Sequence, residues 1–182
     1  VWAVPARGGV GPDSCCGTAG RRAGRGVAAT RQYCGPSVAR VEPRLNGGHP
    51  DGEAAVFAAM RFWLVRGVDG FRIDVIHGIL KDAQWRDNPP NPDFKPGQDP
   101  AHALIPLYSL NRPDVHEVIR RMRAVFDEYE DRVIVGETYL PNDELMRYYG
   151  PNNDEAHLPF NFQLILLPLP AAALRVAFRA YQ

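Results

Sequence analysis

The chain has 182 residues, of which 45% are apolar and 23% are charged, and its formal net charge at pH 7 is zero. This composition is ordinary for a globular protein with its own hydrophobic core, and a net charge of zero gives no electrostatic reason to expect nucleic acid or an anionic membrane as a partner. No apolar run approaches the roughly 18 residues that a membrane span needs, no signal peptide is visible, and the cytoplasm is the predicted compartment.

The first 40 residues differ in composition from the rest of the chain. They lack Leu, Ile, Phe, Met and Lys, and they hold 8 of the 17 glycines and all 3 cysteines. Such a segment has few side chains to offset the entropy of ordering its backbone. The spacing Cys15-Cys16…Cys34 fits no zinc site, so we predict neither a metal ion nor a cofactor. Residues 1–40 stay unassigned, as a disordered segment or as one translated out of frame.

A helix and a strand are the next predicted elements. The helix covers residues 50–66 and stops at Gly67. Its apolar residues recur at helical spacing, which predicts one buried face. They are Val56, Phe57, Met60, Phe62, Trp63 and Leu64. The apolar run at residues 71–75 then predicts a short buried strand, and a helix that feeds a strand in this way is a unit of a parallel sheet.

Residues 76–112 are predicted to form a long loop, because their many Pro, Asn and Asp residues disrupt regular structure. Loops of this length are uncommon in compact domains and are often functional. A second helix is predicted at residues 113–129, with one apolar face. That face comprises Val115, Val118, Ile119, Met122, Val125 and Phe126. A strand at residues 132–136 follows and ends at Glu137.

The remaining elements repeat the alternation of helix and strand. A short helix is predicted at residues 142–148, a third strand begins at Leu158 and runs to about residue 167, and another helix covers residues 171–181. The sequence therefore predicts an α/β fold with a parallel sheet.

Two of the predicted strands end on a carboxylate. Residues two apart on a strand share a face, so Arg72 and Asp74 point the same way and the guanidinium holds Asp74 ionised. Glu137 lies at the top of an apolar column, and apolar surroundings raise the pKa of a carboxyl group. We therefore predict an ionised Asp74 beside a protonatable Glu137.

This pair matches the nucleophile and the acid/base of retaining glycosidases, whose carboxyl groups lie roughly 5–5.5 Å apart. Adjacent strands are separated by about 4.8 Å, so strands that end on Asp74 and Glu137 meet that spacing. The residues alone leave an alternative open, namely an unrelated α/β protein in which both acids are structural or bind metal.

The sequence around both acids resembles the alpha-amylase family, glycoside hydrolase family 13. Residues 70–75, Gly-Phe-Arg-Ile-Asp-Val, are similar to the family's nucleophile motif, and residues 135–138, Val-Gly-Glu-Thr, are similar to its acid/base motif. Residues 59–64 and 111–117 are typical of its alpha-glucosidase and oligo-1,6-glucosidase branch. The resemblance covers the chain from about Val41 to its end.

The resemblance implies a partial (β/α)8 TIM barrel over residues 41–182, with roughly the fourth to sixth strands and their helices, and an active site at the carboxyl ends of those strands. By motif match, Asp74 is similar to the nucleophile and Glu137 to the acid/base. Arg72 and Val75 are similar to substrate-site residues: Arg72 hydrogen-bonds the nucleophile and Val75 biases the branch toward alpha-1,6 linkages. His77 is interpreted as a loop residue.

The implied function is that of a retaining alpha-glycosidase that acts on alpha-1,4- or alpha-1,6-linked gluco-oligosaccharides in carbohydrate metabolism. An oligosaccharide is then the expected partner, without nucleic acid or membrane, and the oligomeric state stays open. Three other functions also stay open: a non-catalytic amylase-like protein, a transglycosylase and a sugar isomerase of the same family.

The sequence also departs from the family pattern. The family's earlier Asp-x-x-x-Asn-His motif and its later Asn-His-Asp motif, which supplies a third essential carboxylate, do not occur. The family's Gln-Pro-Asp-Leu-Asn-Trp segment stands as Glu-Pro-Arg-Leu-Asn-Gly at residues 42–47. We therefore expect a damaged reading frame before about residue 41, a truncated C-terminus and no glycosidase activity from this piece alone.

Overall fold

The fold is described from a computed structural model of the chain. The structure describes residues 3–5, 25–27, 32–34, 47–84, 86–162, 175, 176 and 179. The chain forms two compact units, which are described separately. The first contains residues 1–55 and 78–113, and the second contains residues 56–77 and 114–182.

The first unit contains a small antiparallel sheet. Its strands are β1 (Ala3–Pro5), β2 (Arg25–Val27) and β3 (Gln32–Cys34), which pair in the order β1-β3-β2. All three lie within residues 1–40, the segment left unassigned from the sequence. Cys15 and Cys16 lie outside the described residues, and the proposed frame damage stays a prediction.

Side chains hold together the loop of the first unit. Arg86 Nη2 lies 2.6 Å from Asp82 Oδ1, and this guanidinium lowers the pKa of Asp82 to about 2. Lys81 Nζ donates to the backbone oxygen of Ser109 at 2.7 Å. The only helical segment that begins within residues 78–112, of which residue 85 is not described, is a short 3-10 helix at Pro100–Ala103. The prediction of a long loop is therefore confirmed.

Helix α1 covers Pro50–Leu64 and is slightly shorter than predicted. Met60 and Leu64 are buried, but Phe62 is 46% exposed and Trp63 is 50% exposed. The prediction that both aromatic residues share the buried face is therefore wrong. An α-helix turns by 100° per residue, so Phe62 and Trp63 lie outside the stripe that Met60 and Leu64 define.

The second unit is built on a parallel sheet of three strands. These are β4 (Gly70–Ile73), β5 (Val133–Thr138) and β6 (Leu158–Asn161), paired in the order β4-β5-β6. The predicted parallel pairing is confirmed. Gly67, the predicted helix stop, has a φ of 91°, a left-handed conformation that glycine adopts without strain. Strand β5 continues past the predicted end, so Glu137 lies inside it.

Helix α2 (Val115–Phe126) connects β4 and β5 in this unit after the long loop. Its buried residues are the six that the helical spacing predicts: Val115, Val118, Ile119, Met122, Val125 and Phe126. The ring of Phe71 in β4 meets the ring of Phe126 edge-on, with centroids 5.7 Å apart. The helix therefore covers the side of β4 that carries Phe71, which leaves the neighbouring residues Arg72 and Asp74 on the other face.

The predicted short helix is present as helix α3 (Asn142–Met146), which continues into a 3-10 helix at Arg147–Tyr149. Beyond residue 162, only residues 175, 176 and 179 are described, and they are helical. Most of the predicted helix at 171–181, and the end of the third predicted strand, lie outside the described residues. Among the helices that are described, none has both the length and the apolar character that crossing a lipid bilayer requires.

Candidate active site

Parallel pairing of β4 and β5 brings two carboxyl groups to one edge of the sheet. Ile73 pairs with Gly136, so the next residues along the two strands are Asp74 and Glu137. Arg72 binds both acids: its Nη1 lies 3.0 Å from Asp74 Oδ1, and its Nη2 lies 2.9 Å from Glu137 Oε2. The two carboxyl groups also share a hydrogen bond. The structure thus places the two acids side by side, as the strand spacing predicts.

The two acids differ in exposure. The side chain of Asp74 is 65% exposed, whereas that of Glu137 is 6% exposed. Asp74 follows the last residue of β4, while Glu137 lies inside β5 and pairs on its other side with Phe160 of β6. One carboxyl group is therefore open to a ligand, and the other is embedded in the sheet edge.

Two further donors hold Glu137. The backbone N–H of Val75 donates to Oε2 at 3.2 Å, and the hydroxyl of Tyr139 donates to Oε1 at 2.7 Å. Val75 has a φ of 44°, a left-handed conformation that is strained for a β-branched residue. Strained backbone of this kind is common at functional sites, and here it coincides with the hydrogen bond to Glu137.

The directions of the two pKa shifts are opposite to the sequence-based prediction. The hydrogen bond with Glu137 raises the pKa of Asp74, burial adds to that rise, and Arg72 opposes it. Burial acts to raise the pKa of Glu137, but hydrogen bonds from Asp74, Tyr139 and Val75 outweigh burial and lower that pKa.

The prediction of an ionised Asp74 beside a protonatable Glu137 is thus wrong for this structure. Strand alternation predicts the apolar residues that precede Glu137 on its face of β5. It does not predict the hydrogen-bond donors that surround the Glu137 carboxylate. A carboxylate that accepts several hydrogen bonds is stabilised in its charged form even when it is buried.

An aromatic pair lies beside Glu137. The rings of Tyr139 and Phe162 stack with centroids 4.5 Å apart and an interplanar angle of 23°, and the ring of Phe160 lies 4.8 Å from that of Phe162. Sequence reasoning missed Tyr139, although the rule that pairs Arg72 with Asp74 also puts Tyr139 on the face of Glu137. No spacing in the sequence indicates the contact with Phe162.

The other predicted site positions are also near the carboxyl pair along the chain. His77 lies in a 3-10 helix (Ile76–Gly78), is only 3% exposed, and has its ring centroid 6.3 Å from that of Tyr139. It is therefore more than a loop residue, since it packs next to a residue that binds Glu137. The side chain of Val75 is half-buried, and its contact with substrate stays a prediction.

This arrangement can support acid, base and nucleophilic chemistry on one face. A pair of Asp and Glu carboxyl groups at one edge of a sheet is the kind of site that glycosidases use to form and break bonds at a sugar carbon. Within the described part of the chain, no three His, Cys, Asp or Glu side chains come together in a way that could hold a metal ion.

Comparison with curated proteins supports this interpretation. The chain is 34% identical over 173 residues to an alpha-glucosidase of Culex pipiens, an alignment that covers 91% of this chain and 30% of the relative. It is 35% identical over 137 residues to an oligo-1,6-glucosidase of Parageobacillus thermoglucosidasius, with 74% of this chain and 23% of the relative covered. The chain thus spans about 30% of the length of the curated relatives that it matches.

Solved structures with the same fold include an alpha-glucosyl transfer enzyme, XgtA. Its TM-score is 0.83 at 28% identity, with 100% of this chain and 35% of that chain covered. Trehalose-6-phosphate hydrolase of Bacillus licheniformis has a TM-score of 0.75 at 24% identity, with 98% and 32% covered, and this likeness shows the fold alone. These neighbours are (β/α)8 barrel enzymes, so the sheet β4-β5-β6 with its helices is part of such a barrel, as predicted.

The family model of the alpha amylase catalytic domain matches residues 4–179. The expectation that the likeness begins at about Val41 is therefore wrong. The Gly, Ala and Arg residues that dominate the first 40 positions hid it, because they carry little of the apolar periodicity on which the sequence analysis relied. With nearly its whole length matched, the chain belongs to the alpha-amylase family, glycoside hydrolase family 13.

Proposed function

We propose that this chain carries the nucleophile and the acid/base of a retaining alpha-glycosidase that acts on alpha-1,4- or alpha-1,6-linked gluco-oligosaccharides. The observation that carries the proposal is the contact of one guanidinium, that of Arg72, with both Asp74 and Glu137 at the edge of the parallel sheet. Residues 41–182 are proposed to form part of the catalytic barrel, together with the earlier residues that the family model also matches, and an oligosaccharide is the proposed partner.

In the proposed reaction, the carboxylate of Asp74 attacks the anomeric carbon while Glu137 protonates the departing glycosidic oxygen. The bond between the anomeric carbon and that oxygen breaks, and a glycosyl ester forms on Asp74. Glu137, now a carboxylate, takes a proton from water, which attacks the same carbon and releases Asp74. Two displacements retain the configuration of the sugar.

The exposure of the two acids supports this division of roles. The nucleophile has to approach the ring carbon directly, and the Asp74 side chain is the exposed member of the pair. Arg72 donates to Asp74, which favours the charged form that a nucleophile needs. Val75, whose backbone N–H binds Glu137, is proposed to contact the sugar and to bias the linkage preference.

The proposed reaction also requires that substrate binding changes the protonation of Asp74 and Glu137. The reaction needs the proton on Glu137, whereas the hydrogen bond between the two acids raises the pKa of Asp74 and acts to lower that of Glu137. A sugar ring that enters between them removes that hydrogen bond, so the pKa of Asp74 falls while Arg72 keeps it ionised. Productive binding therefore includes transfer of the shared proton to Glu137.

A transglycosylase is the second candidate, and the likeness to an alpha-glucosyl transfer enzyme at 28% identity favours it. The first displacement would be the same, but a sugar hydroxyl instead of water would attack the ester on Asp74. The products of an incubation with maltose alone separate the two reactions, since hydrolysis yields glucose and transfer yields longer oligosaccharides.

The test uses the protein at the full length that its gene encodes, together with the 182-residue chain. Hydrolysis of 4-nitrophenyl alpha-glucoside is followed by absorbance, and the first anomer released is identified by proton NMR. We expect the alpha anomer from the full-length protein, and a loss of turnover of about a thousandfold or more in Asp74→Asn.

From the 182-residue chain alone we expect no turnover, because the family's third-carboxylate motif is not in it. Release of the beta anomer, full turnover in Asp74→Asn, or the absence of turnover from both proteins would overturn the proposal.

A further inference from the structure

We propose that Tyr139 is a positioning residue for Glu137, and that its hydroxyl fixes the orientation and the proton affinity of the acid/base carboxyl group. This inference rests on the proposed function for its catalytic meaning, but the hydrogen bond itself can be tested without any substrate. Nothing in the sequence motifs of the site assigns a role to Tyr139.

The hydrogen bonds divide between the two oxygens of Glu137. Arg72 Nη2 and the backbone N–H of Val75 both contact Oε2, at 2.9 and 3.2 Å. The hydroxyl of Tyr139 donates to the other oxygen, Oε1, at 2.7 Å. A distance of 2.7 Å is the common one for a hydroxyl that donates to an oxygen, so the hydrogen bond is well formed. Tyr139 therefore binds Oε1 of Glu137, the oxygen that Arg72 and the Val75 N–H do not contact.

Phe162 fixes the direction of the Tyr139 hydroxyl. Tyr139 is 53% exposed, so burial alone does not restrict its side chain. Its ring stacks on Phe162 at 4.5 Å, and the ring of His77 faces it from the 3-10 helix that follows β4. A stacked ring loses rotational freedom, so the hydrogen bond to Glu137 forms at a lower entropic cost.

The charged and titratable groups around Glu137 are Arg72 and Asp74 from the β4 side and Tyr139 from β5, with His77 against the Tyr139 ring. A hydroxyl that donates to a carboxylate stabilises its charged form. Conversely, the hydrogen bond to Glu137 raises the pKa of Tyr139, which keeps its proton in place as the donor. Removing only the hydroxyl should therefore make Glu137 easier to protonate.

For the proposed reaction, this places Tyr139 in control of the alkaline limit of activity. Glu137 has to be protonated in the first displacement and deprotonated in the second. Without the hydroxyl, Glu137 would hold its proton to a higher pH, and the alkaline limb of the pH profile of kcat/KM would move upward. A residue with only a structural role would lower activity without moving that limb.

The experiment is a titration of the glutamate side-chain carboxyl carbons by 13C NMR in the full-length protein, with the Glu137 signal assigned by its loss in Glu137→Gln. We expect Tyr139→Phe to shift the Glu137 titration upward by about one pH unit, the size expected when one hydrogen bond to a charged group is lost. Tyr129→Phe, which removes a hydroxyl before the start of β5, should shift nothing.

A second variant guards against a general effect on folding. Phe162→Leu keeps the hydroxyl but removes the stacked ring, and we expect an upward shift that is smaller than in Tyr139→Phe. An unchanged or downward titration of Glu137 in Tyr139→Phe, or an equal shift in Tyr129→Phe, overturns the inference.

Failure of the proposed function would look different. An upward titration shift in a protein that hydrolyses no glycoside supports the positioning of Glu137 and overturns only the glycosidase proposal. In an active full-length protein, an alkaline limb that stays in place in Tyr139→Phe overturns the role of Tyr139 and leaves the glycosidase proposal standing.

Discussion

Two buried glutamates in the second unit differ in the groups that their side chains contact. The side chain of Glu137 is 6% exposed and that of Glu155 is 1% exposed, and each contacts an arginine, Arg72 at 2.9 Å and Arg120 at 3.0 Å. Glu137 also shares a hydrogen bond with an acid, Asp74, whereas Glu155 lies 2.7 Å from His116 Nδ1. Burial and an ion pair therefore do not distinguish the two glutamates, but a second acid at an open edge does, and it makes Glu137 the candidate for catalysis.

The surroundings of Glu155 explain its different role. His116 and Arg120 both lie on helix α2, and Arg123 of the same helix donates to the backbone oxygen of Glu155 at 3.1 Å. Side chain and backbone of Glu155 thus both attach α2 to the segment before β6. We infer that Glu155 stabilises the fold, while Glu137 and Asp74 together form the pair that can exchange a proton.

The largest expected effect separates the two glutamates by activity. In the full-length protein, Glu137→Gln should lower kcat by about a thousandfold, since general acid/base catalysis is worth about a hundredfold to ten-thousandfold. The loss should be greater on maltose than on 4-nitrophenyl alpha-glucoside, because nitrophenolate leaves without needing a proton. Glu155→Gln should change kcat of the folded protein only a few-fold. Equal losses in the two variants would remove the distinction.

The two variants should rank in the opposite order when the free energy of unfolding is measured instead of activity. Glu155→Gln removes the buried anion that His116 and Arg120 share, so that Arg120 keeps only the exposed Glu117, and it should lower the free energy of unfolding by about 2–3 kcal/mol. Glu137→Gln removes one of two adjacent carboxyl groups and should leave stability unchanged or slightly higher. Urea unfolding of each variant measures this, with Glu117→Gln as the control on the same helix.

Glu117 pairs with Arg120 and Arg121 on the outer side of α2, but its side chain is 59% exposed. Exposed ion pairs contribute little, so no measurable change is expected in Glu117→Gln. If Glu117→Gln and Glu155→Gln destabilised the protein equally, the burial of Glu155 would not be the cause.

Much of the active-site edge could be predicted because it depends on local periodicity. Alternation along β4 and β5 predicts which residues share a face, and the alternation of helix and strand predicts parallel pairing, so Asp74 and Glu137 come together without knowledge of the coordinates. The buried face of α2 follows from the helical repeat in the same way.

The missed features depend on backbone detail or on contacts between distant parts of the chain. The N–H of Val75 reaches Glu137 through a left-handed backbone that no side-chain pattern specifies for a valine. Glu155 is 39 residues from His116 along the chain, so local spacing gives no sign of their contact. The directions of the pKa shifts of Asp74 and Glu137 were predicted wrongly for a similar reason, because they depend on donors such as the Val75 N–H.

A smaller effect is expected from Gly136→Ala, which alters the surroundings of Glu137 but not those of Glu155. A Cβ atom at Gly136 would lie 2.9 Å from Cδ1 and 3.1 Å from Cγ2 of the fully buried Ile76. Overpacking of this kind costs about 1–2 kcal/mol. Because Ile76 follows Val75, the Val75 N–H should also move, and the pKa of Glu137 should rise.

Ile76→Val provides the matched test, since it deletes the Cδ1 atom that is nearest to the new methyl group. Added to Gly136→Ala, it should restore part of the lost stability instead of adding its own cost. Additive losses in urea unfolding would show that Ile76 is not the residue that limits space at Gly136.

The smallest expected effect is that of His157, which follows Glu155 closely along the chain and contacts β5, the strand that carries Glu137. It lies two residues after Glu155, and its Nδ1 accepts the backbone N–H of Ile134 in β5 at 3.0 Å. Only an unprotonated Nδ1 can accept this hydrogen bond. Burial, followed by the charge of Arg123, lowers the pKa of His157 below its ordinary value of about 6.5.

The sign of the pH dependence follows from this lowered pKa. Because the unfolded state binds the proton more tightly than the folded state, the stabilisation is complete above the unfolded pKa and is lost as the pH falls through the folded pKa. The free energy of unfolding should therefore decrease by about 1 kcal/mol or less between about pH 7.5 and about pH 5.5, and urea midpoints measure it.

His157→Asn isolates this contribution from all other titrating groups. The side-chain oxygen of asparagine can accept the Ile134 N–H near the position of Nδ1, but it does not titrate. The variant should match the parent chain near pH 7.5 more closely than near pH 5.5, because only the parent loses an acceptor on acidification. Parallel pH dependences in the two proteins would mean that His157 keeps its hydrogen bond when the solution is acidic, and that β5 and β6 are joined there by other contacts.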